Sequence, residues 1–109
     1  MKLHLLVNGI NNRDIKSIQY FYDTYCSCIY GIAWQVTNSE TLSDEILEEV
    51  MIFVMDKINN CEFKTASELE LWVRRISSGL ALIKVRKNNF LIEVNLNDKA
   101  STARVEIAV

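Results

Sequence analysis

The chain has 109 residues, a net charge of −2 and a composition that is 50% hydrophobic, which together describe one small domain with a modest core. The near-neutral charge is not typical of a protein whose whole surface binds a polyanion, and the odd count of three cysteines argues against a secreted disulfide scaffold. No apolar run reaches the length of a membrane span and the N-terminus lacks a signal-peptide pattern, so we expect a cytoplasmic protein with no membrane partner.

The charges are distributed unevenly along the chain. Residues 17–56 carry seven acidic side chains and no lysine or arginine, whereas residues 71–92 carry five basic side chains and no acid. This asymmetry predicts two surfaces of opposite charge, and therefore two different partners.

The first 13 residues give a weak pattern. Leu3, Leu5 and Val7 alternate with other side chains, and Asn8-Gly9 then indicates a turn. A short strand and a frayed leader both fit this pattern, and the sequence does not decide between these two alternatives.

A long helix is predicted before a polar turn at residues 38–41. Apolar side chains recur there at intervals of three and four residues, at Ile15, Ile18, Tyr22, Tyr25, Ile29, Ile32 and Val36. Asn12 is the expected N-cap, with Asp14 in the first turn. Gly31 costs about 1 kcal/mol relative to alanine inside a helix, and we expect it to mark a close approach of two helices.

The pattern of residues 43–59 predicts a second helix, which is amphipathic and carries the main candidate for a partner-binding surface. Its apolar face comprises Ile46, Val50, Phe53, Val54 and Ile58. Its first turns carry four acids, Asp44, Glu45, Glu48 and Glu49. Acids suit a helix N-terminus, but this number exceeds what capping needs. We interpret them as a partner-binding edge, and the alternative is an ordinary solvated helix face.

A third helix is predicted after a loop at residues 60–66. Ser67 and Glu70 form the expected capping box. The apolar stripe of this helix comprises Leu69, Trp72, Val73, Ile76, Leu80 and Ile83. The helix is expected to end in the basic run at residues 84–87, where Asn88-Asn89 stops it.

The last twenty residues change character, and alternation at 90–97 and 105–109 predicts two short strands unless this segment is a linker. The predicted fold is therefore mainly α, a compact bundle of three main helices over residues 14–89. Short terminal β-strands are a possibility at residues 1–13 and 90–109.

Four short motifs occur in order along the predicted helices. Residues 21–25 (FYDTY) are similar to an opening "F..LY..Y" helix, and residues 43–51 (SDEILEEVM) to an "AEDLVQEVF" signature. Residues 72–76 (WVRRI) are similar to a "WLxRIA" helix, and residues 84–87 (KVRK) to its basic end. Their order and spacing resemble region 2 of the extracytoplasmic-function sigma factors, the promoter-melting domain of bacterial transcription initiation.

The resemblance implies a role for each motif. The acidic helix would bind the clamp helices of the RNA polymerase largest subunit, through Glu45, Glu48, Glu49 and Met55. The loop at residues 60–66 would capture a flipped base of the promoter minus-ten element, and the basic helix would lie along the DNA. The side chains expected to contact DNA are Phe63, Lys64, Arg75, Lys84, Arg86 and Lys87. The sequence departs from the family at Gly79 and Ile83, where polar side chains that read promoter bases are usual.

The residues by themselves leave alternatives for several of these roles. Phe63 either stacks on an unpaired base or packs as a lid on the core, and Trp72 is expected in the core. Of Arg74 and Arg75, one is expected to pair within the domain and the other to face solvent. The basic run at residues 84–87 either contacts phosphates or pairs with the acidic helix.

The function predicted from the resemblance is transcription initiation, with core RNA polymerase and promoter DNA as partners and an anti-sigma factor as a further candidate. The alternatives are a sigma-like adaptor that binds polymerase or an anti-sigma factor without reading DNA, and a plain helical protein–protein interaction module. No nucleophile–base pair, paired-carboxylate site or glycine-rich phosphate loop occurs in the sequence, so we expect no enzyme activity and no cofactor. The cysteines and the single histidine do not have the spacing of a zinc site.

Overall fold

Four α-helices make up most of the part of the chain whose backbone is described. The computed structural model describes the backbone of residues 1–100 and the side chains of residues 1–87. Its helices are α1 (Leu3–Asn11), α2 (Ile15–Thr37), α3 (Glu40–Lys57) and α4 (Ala66–Ala100), with one turn of 3-10 helix at Ile58–Asn60. No strand occurs in the part of the backbone that is described, and the prediction of a mainly α fold is confirmed.

Neither alternative for the N-terminus, a short strand or a frayed leader, is correct, because Leu3–Asn11 forms α1 and buries Leu6 and Ile10 against the other helices. Leu3, Leu6 and Ile10 also satisfy the three- and four-residue spacing of a helix, and the burial of this face decides between the two patterns. The turn predicted at Asn8-Gly9 is wrong for the same reason, since both residues lie inside α1.

A Schellman-type corner joins α1 to α2. Arg13 takes a left-handed conformation with φ of 60°. Its N–H donates to the Ile10 carbonyl at 3.0 Å, and the Asp14 N–H donates to the Gly9 carbonyl at 2.8 Å. Asp14, rather than the predicted Asn12, is the N-cap of α2, and its carboxylate accepts a hydrogen bond of 3.1 Å from the N–H three residues further on.

Helices α1 and α2 come into close contact at Gly9. A Cβ atom built on Gly9 would overlap the Ser17 Oγ and lie 2.5 Å from the Ser17 Cβ, so a side chain here would force the helices apart. The close approach predicted at Gly31 is wrong, because a Cβ atom there would meet no described atom within 4 Å.

The core lies where all four helices meet. Its buried apolar side chains come from every helix and from the 3-10 turn, and comprise Leu6, Ile10, Phe21, Tyr25, Ile29, Ala33, Ile46, Val50, Val54, Ile58, Leu69, Val73 and Ala81. Trp72 is half-buried and packs at the edge of this core. The fixed spacing of these residues on α3 and α4 determines which of their other side chains face solvent.

Helix α4 begins earlier than predicted. The Thr65 Oγ1 accepts a hydrogen bond of 3.2 Å from the Glu68 N–H, and the Glu68 Oε1 accepts one of 2.6 Å from the Lys64 N–H. These two bonds resemble a capping box, and they lie two residues before the predicted pair Ser67 and Glu70.

Helix α4 also ends later than predicted, because Asn88-Asn89 does not stop it. The backbone is helical to Ala100, so the strand, which was one of the two alternatives for residues 90–97, is not formed, and the domain boundary predicted at residue 89 falls inside a helix. Asparagine is less favourable than alanine in a helix by only about 0.7 kcal/mol, and no proline interrupts the segment. The second predicted strand, at residues 105–109, lies outside the described residues.

Candidate interaction surfaces on α2, α3 and α4

The acidic residues of α3 point in three directions. The buried residues Ile46, Val50 and Val54 define its inner face. Contacts with α4 place Glu45 and Glu49 on the side of α3 that faces that helix. Glu48 is exposed on the outer side, away from the buried row. Asp44 is also exposed and lies on the side that faces α2.

Lys84 of α4 neutralises part of this acidic edge. Its Nζ lies 2.8 Å from the Glu49 Oε2 and 3.3 Å from the Glu45 Oε2. The Lys84 side chain is 26% exposed, whereas those of Glu45 and Glu49 are 50% and 43% exposed. The alternative that a residue of the basic run pairs with the acidic helix is therefore correct for Lys84.

The ion pair changes the electrostatic environment of Lys84. Contact with the Glu49 carboxylate, supported by that of Glu45, raises the pKa of Lys84, although partial burial acts in the opposite direction. The Glu49 Oε2 is itself buried and has no other polar contact among the described residues. Lys84 therefore balances a carboxylate that would otherwise be costly to desolvate.

Met55 is half-buried at the C-terminal end of the same helix and packs against the core. The Arg13 Nη1 donates a hydrogen bond of 2.7 Å to the Met55 carbonyl, and the Arg13 Nη2 lies 3.6 Å from the Asp56 Oδ1. This end of α3 is thus held by the corner between α1 and α2. Because Met55 is half-buried, only part of its side chain is accessible for an apolar contact with a partner.

The basic residues predicted to bind DNA have different environments. The Arg74 Nε lies 3.7 Å from the Glu70 Oε2, whereas Arg75 is exposed and has no ion pair with a described residue, so the expectation for these two arginines is confirmed. Arg86 and Lys87 are exposed near the end of the described side chains. Lys84 is the exception, since its ammonium group contacts α3.

Phe63 packs against the body of the protein. Its ring centroid lies 5.3 Å from that of Trp72, whose other neighbour is Phe53 at 6.3 Å. Phe63 also borders a cleft of about 330 Å³ beneath α1, which is lined by Leu3, His4, Val7, Asn8, Glu62, Phe63 and Lys64. The conformation described is therefore that of a lid on the core, with Lys64 exposed beside it.

The two positions that depart from the family pattern both face solvent. Gly79 is exposed, and Ile83 is 47% exposed. They belong to an outer surface of α4 that also carries Arg75 and Arg86. That surface therefore carries basic and apolar side chains. Gly79 and Ile83 supply no neutral polar group at the positions where the sigma factors usually have one.

Sequence reasoning missed a groove between α2 and α3. It has a volume of about 470 Å³ and is lined by Tyr22, Cys26, Ser27, Tyr30, Gly31, Asp44 and Leu47. Burial, followed by the negative charges of Asp44 and Glu40, raises the pKa of Tyr30. The two tyrosines and Gly31 were visible in the sequence at helical spacing, but their position opposite Asp44 depends on how the two helices pack.

Other kinds of site have no support within the described residues. The three cysteines are free thiols, and no group of three or more histidine, cysteine or acidic side chains converges as a metal site in this part of the chain. Among the helices described, none is both long and apolar enough to cross a membrane.

Comparisons of the chain with protein-family models, with curated proteins and with solved structures find no match. The residues of this chain and their arrangement are therefore the basis for inferring a function.

Proposed function

We propose that this chain is a helical transcription module, similar to sigma region 2, that binds the clamp helices of the RNA polymerase largest subunit through the outer edge of α3. The observation that carries this proposal is the environment of Glu48. This residue is exposed, has no ion pair with a described residue, and lies one turn before Ile52, which is 49% exposed. An exposed acid beside an exposed apolar side chain suits a basic amphipathic helix.

The flanking acids contribute less than their number suggests. Glu45 and Glu49 share the positive charge of Lys84, so a basic partner must compete with that lysine for their carboxylates. Met55 offers a half-buried apolar surface on the same helix. We therefore expect the largest loss of binding from substitution of Glu48.

Pull-down of purified core polymerase tests this part of the proposal. We expect the native chain to retain the largest subunit and Glu48→Arg to weaken retention by about tenfold, because it places a positive charge against a basic partner. Asp23→Arg is the matched control, since Asp23 is exposed on α2 and the substitution changes the net charge equally. Retention that is unchanged in Glu48→Arg, or absent in the native chain, would refute polymerase binding through this edge.

We further propose that α4 contacts promoter DNA through its exposed basic side chains. Arg75, Arg86 and Lys87 support this proposal, because none of them has an ion pair with a described residue. Lys64 lies two residues before the start of the same helix and is also exposed. Lys84 is expected to contribute least, since its charge is already balanced by α3.

Fluorescence anisotropy with single-stranded minus-ten-type DNA at low salt tests the DNA proposal. Each phosphate contact contributes about 0.7 to the logarithmic salt dependence of binding to a single strand. Arg86→Glu and Arg75→Glu are each expected to weaken binding and lower this slope, whereas Lys84→Met is expected to change both much less. Equal effects of Lys84→Met and Arg86→Glu would show that the ion pair does not persist in the complex.

A second candidate function is an adaptor that binds polymerase or an anti-sigma factor without reading DNA. Two observations favour it: Phe63 packs on Trp72, and Lys84 is paired with α3. The two candidates differ in one result, because an adaptor would retain polymerase and show no anisotropy change with DNA at low salt.

A further inference from the structure

The groove between α2 and α3 has walls of two kinds. Its α2 wall carries Tyr22 and Tyr30, and Trp34 continues this aromatic row one turn further along the helix. Tyr22 is 38% exposed and Trp34 is 43% exposed. The α3 wall carries Leu47 and the exposed carboxylate of Asp44. The groove is therefore apolar along its length and acidic at its rim.

The charge of this groove is not balanced by a described basic side chain at its lining. The lining contains Asp44 and no lysine or arginine, and Glu40 lies one turn before Asp44 on the same helix. Lys84 contacts α3 from the opposite side. The raised pKa of Tyr30, to which Asp44 and Glu40 contribute after burial, is consistent with a negative potential there. Carboxylates and aromatic faces both attract ammonium and guanidinium groups.

Gly31 is an independent indication that something packs into the groove. It lies in the interior of a 23-residue helix, where glycine is less favourable than alanine. A Cβ atom there would meet no described atom within 4 Å, so no contact with a described residue explains the absence of a side chain. Gly31 lines the groove one turn after Ser27, and two small residues at this spacing allow the axis of another helix to come close.

We propose that this groove binds a basic amphipathic helix of a partner protein, which packs closely over Ser27 and Gly31 and pairs its lysine or arginine side chains with Asp44 and Glu40. The apolar face of that helix lies against Tyr22, Tyr30 and Leu47. This proposal does not rest on the proposed function. The groove lies between α2 and α3, whereas Glu48 lies on the outer edge of α3 and does not line it.

A displayed library of helical peptides provides the probe. Its members carry lysine and arginine along one edge and varied apolar residues on the adjacent face, and a matched library carries aspartate and glutamate at the basic positions. We expect the basic library to give binders to the full chain and the acidic library to give none. Binding of the selected peptides should fall by at least about tenfold in Asp44→Lys, because the charge at the rim is reversed.

Two glycine substitutions separate blockage of the groove from a general effect on the helices. Gly31→Leu fills the groove, and Gly79→Leu is the matched control, since Gly79 is also helical and also has no described atom within 4 Å of its Cβ position. Both variants are expected to fold and to melt at or above the native temperature, because leucine favours a helix. Only Gly31→Leu is expected to abolish peptide binding.

The proposal is overturned if the basic library gives no binders, if the acidic library gives them instead, or if selected peptides bind Gly31→Leu as well as they bind Gly79→Leu. Glu48→Arg is expected to weaken peptide binding less than Asp44→Lys does, since Glu48 lies one turn beyond Asp44 and does not line the groove. Failure of the groove proposal and failure of polymerase binding through Glu48 are thus observed in different variants.

Discussion

The contact between Gly9 and Ser17 makes a quantitative prediction for Gly9→Ala. The new Cβ atom would lie 2.5 Å from the Ser17 Cβ, and ordinary contact begins at 3.4 Å, so α1 and α2 must separate by about 0.9 Å. Rotation of the Ser17 hydroxyl cannot relieve this overlap, because the backbone fixes both Cβ atoms. Ser17 is also buried, with 4% of its surface exposed.

The cost of this separation exceeds the benefit of alanine in a helix. Overpacking of a close contact costs about 1–3 kcal/mol, because neighbouring groups must shift. Alanine recovers at most about 1 kcal/mol of helix propensity relative to glycine. We therefore expect Gly9→Ala to lower the free energy of unfolding by about 1–2 kcal/mol, and the melting temperature by about 5–15 °C. Circular dichroism during thermal and urea unfolding measures both quantities.

Two further variants distinguish this overlap from other effects of the substitution. Gly79→Ala is the control and is expected to raise stability by up to about 1 kcal/mol, since its Cβ atom enters open space. In a Ser17→Gly background, Gly9→Ala should lose most of its cost, because the overlapping atoms are absent. The reasoning is refuted if Gly9→Ala is as stable as the native chain, or costs the same in both backgrounds.

Three other predictions concern the ion pair, the cap of α2 and the aromatic lid. Lys84→Met is expected to lower stability by about 1–2 kcal/mol at neutral pH, since it leaves a buried carboxylate oxygen unpaired. Because the pKa of Lys84 is raised in the folded state, this contribution is complete below its ordinary value of 10.5 and is lost as pH rises through the folded value. From neutral pH upward, urea unfolding should therefore show the gap between native and Lys84→Met narrowing in the alkaline range, and a gap that already narrows near neutral pH would contradict the assignment. Asp14→Ala removes the acceptor of both the Ser17 N–H and the Ser17 hydroxyl, and is expected to cost about 1–2 kcal/mol in the same assay, whereas Asp14→Asn should cost less. Phe63→Ala removes a half-buried ring from Trp72 and should cost about 1–2 kcal/mol, more than Phe63→Leu, whereas a base-stacking residue free of the core would leave stability unchanged.

The interiors of the helices could be predicted from the sequence, whereas their ends could not. Apolar residues at helical spacing indicated α2, α3 and the first half of α4, because a buried face requires that spacing. Each helix begins at one of several neighbouring residues that could act as its N-cap, such as Thr65 and Ser67. The sequence does not show which of these candidates forms the cap. Asn88-Asn89 failed as a stop signal, because the propensity of two asparagines is small beside the cooperativity of a continuing helix.

The role of each glycine could not be predicted from the sequence either. Gly31 was expected at a close approach of helices, and its Cβ position meets no described atom within 4 Å, whereas Gly9 was expected in a turn and lies where α1 and α2 come into close contact. Glycine suits both a turn and a close approach of two helices equally well. Only the packing of the two helices decides which residue meets a neighbour.

The acidic edge of α3 could be recognised from the sequence, but its charge balance could not. The four acids were evident because no base occurs between residues 17 and 56, yet their counterion is Lys84, 39 residues away from Glu45 along the chain. Packing of α4 against α3 divides these acids among three environments. Glu45 and Glu49 are paired with Lys84, Asp44 borders the groove, and Glu48 is exposed without an ion pair to a described residue. A basic partner that binds the α4 side must displace an existing cation, whereas one that binds Glu48 or Asp44 need not, so the sites with the most electrostatic attraction left are the two that face away from Lys84.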